Sequence, residues 1–196
     1  MQTGEKIMCG RYYVEDDLMD EIRPLVQHEG KDLRIQKSSD IFPSEKTTII
    51  GGTRDELYAF DMKWGMPSVR KGQLLINARA ETVMEKQSFS EAVQKYRCVI
   101  PASGFYEWTK EKQKVSFACD KKSAIYMAGC YKKTADVWTF VIITAAANEN
   151  VLPFHDRMPL ILTADEVRNW ILDTSYTKEY LGRPVMSELM PIVIGK

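Results

Sequence analysis

The chain has 196 residues, with 27 Lys+Arg against 27 Asp+Glu and a formal net charge of zero. That length suits one domain with an ample core, and 44% apolar with 28% charged residues is globular composition that argues against disorder. Zero net charge excludes a broadly basic protein that coats nucleic acid, but it does not say where the charges sit and so leaves a local site open.

No apolar run approaches the roughly 18 residues of a membrane helix, and Met1-Gln2-Thr3-Gly4-Glu5-Lys6-Ile7 lacks the apolar segment of a signal peptide. Cys9, Cys98, Cys119 and Cys130 lie far apart without a CxxC pair, and His28 and His155 are the only histidines. Neither a disulfide framework nor a zinc site is indicated. The expectation is a cytoplasmic, monomeric protein with reduced thiols, no metal and no cofactor.

In chain order, residues 8–14 (MCGRYYV) read as a short strand. Residues 15–28 carry Leu18, Met19, Ile22, Leu25 and Val26 at helical spacing behind an acidic start, with Pro24 working against the second half. From about residue 46 to 145 the pattern turns to β-rich runs: TTIIG, ELYAF, QLLI, RCVI, SFACD, AIYMAG and VWTFVIIT. A helical stretch at 88–96 interrupts them. Thr163 and Glu166 match a capping box ahead of Val167, Trp170 and Ile171. The fold class is therefore α+β: a single domain with a curved, mainly antiparallel, barrel-like sheet and flanking helices.

Four segments combine reactive groups with backbone-restricting residues. In Met8-Cys9-Gly10-Arg11, a chain beginning at Met8 would be trimmed to leave Cys9 at the N-terminus. An α-amine is roughly a tenth unprotonated at pH 7, against about 0.04% for lysine, so it is the better trap for an aldehyde. The neighbouring thiol could then close a five-membered thiazolidine; the alternative is a buried apolar cysteine on a strand. In Asn77-Ala78-Arg79-Ala80-Glu81-Thr82, Asn77 and Arg79 point the same way if the segment is extended, able to orient a sugar and clamp a phosphate, or simply to end a strand. In Arg97-Cys98-Val99-Ile100-Pro101-Ala102-Ser103-Gly104-Phe105-Tyr106-Glu107-Trp108, a strand is expected to break at Pro101, turn through Gly104 and resume with Glu107 between two aromatics. That carboxylate suits general-acid work if desolvated, and is an ordinary surface residue otherwise. In Phe154-His155-Asp156-Arg157-Met158-Pro159, His155 is either a proton-transfer group or a partner for backbone groups.

Together with Trp64-Gly65, these segments resemble the SOS response-associated peptidase (SRAP) family, in the family's order from residue 8 to about 162. The resemblance implies an SRAP domain over 8–196 preceded by a 1–7 extension. It also implies a sensor of abasic sites in single-stranded DNA that crosslinks covalently to the lesion's aldehyde. By position, Cys9 matches the nucleophile, Asn77 the residue near the sugar, Glu107 the acid/base and His155 the electrostatic partner. Arg11, Arg79 and Arg157 would lie near phosphates, and Trp64 and Trp108 beside the DNA groove. Tryptophan is also a common core residue, and at least one of these two is expected there. The family name also records a peptidase activity, here removal of the residues before Cys9.

With residues 1–7 attached, the nitrogen of Cys9 is an amide and cannot form a thiazolidine. The extension is an artefact of the start site, a segment removed by self-cleavage, or a persistent block. Two rival readings remain beside the crosslinker: a plain cysteine peptidase using Cys9 and His155, and a non-covalent single-strand reader using the arginines and tryptophans.

Overall fold

The computed structural model describes residues 10–30, 33, 38–70, 72–119, 123–185 and 189–194. The first elements are β1 (Tyr12–Val14), α1 (Leu18–Ile22), β2 (His28–Glu29), β3 (Ser39–Ile41), β4 (Lys46–Thr53), β5 (Glu56–Trp64), β6 (Met66–Pro67), β7 (Leu74–Leu75) and β8 (Asn77–Arg79). They are followed by α2 (Ser90–Lys95), β9 (Arg97–Ala102), β10 (Gly104–Trp108), β11 (Lys114–Cys119), β12 (Ile125–Thr134) and β13 (Val137–Ala146). The chain then forms β14 (Arg157–Pro159), β15 (Ile161–Leu162), α3 (Ala164–Leu172), α4 (Thr174–Tyr180) and β16 (Leu189–Ile194).

The strands β13-β12-β9-β4-β5 form a closed barrel, because β5 returns to pair with β13. That closing pair is parallel, through Thr139 with Lys63 and Phe140 with Trp64, whereas the other barrel pairs are antiparallel. A second, 5-stranded sheet runs in the order β16-β11-β10-β1-β3. One apolar core is continuous through both, so the α+β barrel-like single domain expected from the patterning is the fold.

Trp64 and Gly65 show why this dipeptide stands where the barrel closes. The Trp64 ring is fully buried, stacks on Phe140 at 6.4 Å, meets Tyr12 at 5.3 Å and donates its indole N–H to the Ile76 carbonyl at 3.0 Å. Gly65 then turns the chain out of the barrel with φ +106°, a conformation that favours glycine. Placement of Trp64 beside a DNA groove is therefore corrected: its ring is core, with no face open to a base.

Three local expectations also change. The predicted helix over 15–28 is only Leu18–Ile22, passing into a 3-10 turn at Arg23–Leu25 that contains Pro24. His28 consequently lies on β2, stacked on Tyr58 at 4.7 Å, rather than on a helix. Pro101 does not break its strand. It pairs with Tyr126 inside β9, past the point where the β4 ladder ends at Val99. The capping box of Thr163 and Glu166 does start α3, whose Val167, Trp170 and Ile171 are buried.

Candidate functional site

Strand β13 has different neighbours on its two edges near its C-terminal end. On one, β8 runs parallel to it, with Asn77 beside Ile142 and Arg79 beside Thr144. On the other, β14 runs antiparallel, with Arg157 beside Ala146. Asn77 is half-buried and Arg79 exposed, while Ala78 between them is buried, so the alternation puts both polar side chains on one face as expected. The Arg79 side chain makes no hydrogen bond or salt bridge among the described residues.

His155 ends the turn after β13 and is 6% exposed. The Asn148 side chain accepts the backbone N–H groups of Asn150 and Val151, and the His155 N–H reaches the Val151 carbonyl. The Arg157 backbone N–H donates to Nδ1 of His155 at 3.1 Å. Asp156 Oδ1 also lies 3.3 Å from Nδ1, with an 84% exposed side chain. The Arg157 carbonyl oxygen lies 3.3 Å from the same nitrogen. A peptide N–H can only donate, so in the tautomer that makes the 3.1 Å bond Nδ1 accepts and the neutral ring carries its proton on Nε2. In the other tautomer Nδ1 donates to the Asp156 carboxylate or the Arg157 carbonyl.

Glu107 lies on β10 and is 2% exposed, so the desolvated reading of this carboxylate holds over the surface one. Its sequence neighbours are not what cover it. Strand alternation sends Tyr106 and Trp108 to one face of the second sheet and Phe105 and Glu107 to the other. The aromatic groups on Glu107's own face include Phe105 and Phe117, stacked at 5.1 Å, and Tyr12, which pairs with Phe105. Phe154, next to His155, packs its ring edge-on against Phe117 at 5.6 Å. This aromatic chain ties the His155 turn to the face that carries Glu107.

On the opposite face, Arg11 sits in an assembled environment. Its guanidinium lies 4.3 Å from the Phe42 ring and 5.3 Å from that of Trp108, and 3.5 Å from Asp40. Lys114 shares the Asp40 carboxylate and covers the Tyr106 ring at 3.6 Å. Burial, together with the hydrogen bond to Asp40, raises the Tyr106 phenol well above its usual pKa. Half-buried Trp108 thus remains at a surface where Arg11 is already oriented.

Arg157 is held differently from the expectation of a cation left for phosphate. Its Nη1 and Nη2 donate to the two Glu81 oxygens, and Nη2 also to the Thr144 carbonyl at 2.6 Å. Those bonds hold the Glu81 carboxyl below its usual pKa. Glu81, Asp40, Phe42 and Lys114 were not singled out by sequence. Each meets its partner across a long stretch of chain, which local spacing does not reveal.

The nucleophile candidate Cys9 falls outside the described residues, as does the extension before it. The ladder leading to it is described. Tyr12 pairs with Phe105 and Tyr13 with Gly104, and the Tyr106 N–H reaches the Arg11 carbonyl at 3.0 Å.

A closed barrel with an added sheet is an architecture shared with solved proteins. One is the crystal structure of a protein from Bordetella bronchiseptica, with TM-score 0.77 and 20% identity over 96% of this chain and 100% of that one. The family model "SOS response associated peptidase (SRAP)" matches residues 8–192, and the chain belongs to that family. Similar relatives include the abasic site processing protein YoaM of Bacillus subtilis, 34% identical over 191 residues, covering 89% of this chain and 83% of YoaM. The abasic site processing protein YedK of Escherichia coli is 27% identical over 184 residues, covering 88% of this chain and 83% of YedK.

Proposed function

We propose that this protein senses abasic sites in single-stranded DNA and bonds to them covalently through Cys9 once the preceding residues have been removed. The observation that carries the reading is the β1–β10 register, which brings the backbone leading into Cys9 alongside the strand of the buried Glu107. Membership of a family with relatives named abasic site processing proteins supports the substrate class.

An abasic deoxyribose is mostly a closed hemiacetal. Glu107 protonates its ring oxygen as the C1′–O4′ bond breaks, and the carboxylate so formed takes up the proton of the anomeric hydroxyl as the aldehyde C1′=O forms. The free amine of Cys9 attacks C1′, water leaves to give an imine, and the thiol sulfur adds to the same carbon while its proton passes to nitrogen. Asn77 orients the sugar, and His155, carrying its proton on Nε2, stabilises the opened sugar oxygen. Trimming before Cys9 is the peptidase step of the same site. Arg79 and Arg11 hold phosphates, and Trp108 offers a ring for a flanking base.

The test is intact mass of the purified protein, followed by mixing with single-stranded DNA bearing one abasic site. A protein beginning at Cys9 should give a band that survives boiling in detergent and disappears in Cys9→Ser. No such band from a verified Cys9 N-terminus would reject the proposal, and crosslinking by a chain still beginning at Met1 would reject the thiazolidine. Glu107→Gln should slow the bond-forming step while leaving affinity for undamaged single strands nearly unchanged.

A further inference from the structure

Arg157 is anchored at three points. The pair with Glu81 is bidentate, the geometry in which a guanidinium is held most firmly. A third bond goes to the Thr144 carbonyl on the strand between them, and the Arg157 side chain is only 11% exposed. Its backbone is fixed too, by the Ala146–Arg157 ladder pair and by the bond from the Ala147 N–H to the Asp156 carbonyl. The peptide N–H so fixed is the one that donates to His155 Nδ1.

We propose that Glu81 is a positioning residue for His155: by clamping Arg157 it keeps that peptide N–H on Nδ1 and holds the neutral imidazole as an Nε2–H donor. The proposal rests on His155 belonging to the functional site. It assigns the Arg157 side chain to this clamp, since engaging a phosphate would require giving up bonds to Glu81. An imidazole with the wrong tautomer presents a lone pair where the opening sugar oxygen needs a hydrogen-bond donor, so the clamp acts through which nitrogen carries the proton.

The chain's two histidines make this directly measurable. With 15N-labelled histidine, two rings are seen, and His28→Gln identifies the one that remains. At pH 8 the wild type should show a protonated Nε2 and an unprotonated Nδ1 on His155. In Glu81→Ala the two nitrogen shifts should move toward averaged values, and crosslinking should slow by roughly tenfold. Glu81→Gln, which keeps one acceptor oxygen, should fall between, and both variants should melt cooperatively. Wild-type nitrogen shifts in Glu81→Ala, or a wild-type ring protonated on Nδ1, would overturn the proposal. The shifts are read on the free protein, so they decide the positioning role even if the wild type forms no crosslink, which would fail the functional reading instead.

Discussion

Glu81 and Arg157 lie on opposite sides of the β13 end, and their pair closes the gap across Thr144. Hydrogen bonding from Arg157 lowers the Glu81 pKa, so the pair contributes stability above the unfolded value near about 4.3 and loses it as pH falls through the lower folded value. The melting temperatures of wild type and Glu81→Gln should accordingly differ by a constant amount above about pH 5 and converge in stronger acid. The gap should be modest, since the Glu81 side chain is half exposed. The two tryptophans separate at this scale. Trp64→Ala empties a closed site and should cost about 3–5 kcal/mol in denaturant unfolding. Trp108→Ala should leave stability nearly unchanged and weaken single-strand binding. Cys98 and Cys130 are fully buried in the barrel, where burial raises the Cys98 thiol and pushes Cys130 up to about 12. Both should resist a thiol reagent in the native protein and react once it is unfolded.

Among elements, the passage from β9 to β10 carries the most consequence, because it takes the chain from the barrel to the second sheet. A Cβ on Gly104 would lie 2.5 Å from the Tyr13 hydroxyl and 2.6 Å from the Phe117 carbonyl, so side chain and backbone crowd the same point. Gly104→Ala should destabilise by about 1–3 kcal/mol and disturb the β1–β10 ladder, reducing crosslinking more than a stability loss of that size explains. Arg97, in a motif that resembles the family's, is structural. Its buried guanidinium donates to the carbonyls of Val93 and Gln94 in α2 and of Trp170 in α3, binding two helices to the start of β9. The strand runs and the α3 capping box were readable because alternation and capping are local patterns. The extent of α1 was not, since the apolar spacing continues past Pro24 while the backbone does not.

Across the whole molecule, 27 basic against 27 acidic residues give no general attraction for a polyanion. The covalent step proposed above would remove the need for one, because it would retain what a modest encounter delivers. Binding then depends on a few placed cations. Arg79→Ala should weaken single-strand binding and lower the slope of log affinity against log salt by about one phosphate's share. Glu81, which consumes the charge of Arg157, illustrates why net charge and site charge differ.

The candidate segments, the α+β class and the alternation that puts Asn77 and Arg79 on one face were legible in the sequence alone, because residue type and period act over a few neighbouring positions. Tertiary structure alone decided that Trp64 closes the barrel, that Phe105 and Phe117 rather than Tyr106 and Trp108 share Glu107's face, and that Arg157 belongs to Glu81. Those outcomes depend on strand register and barrel closure, which join residues far apart in the chain and leave no local trace in its order.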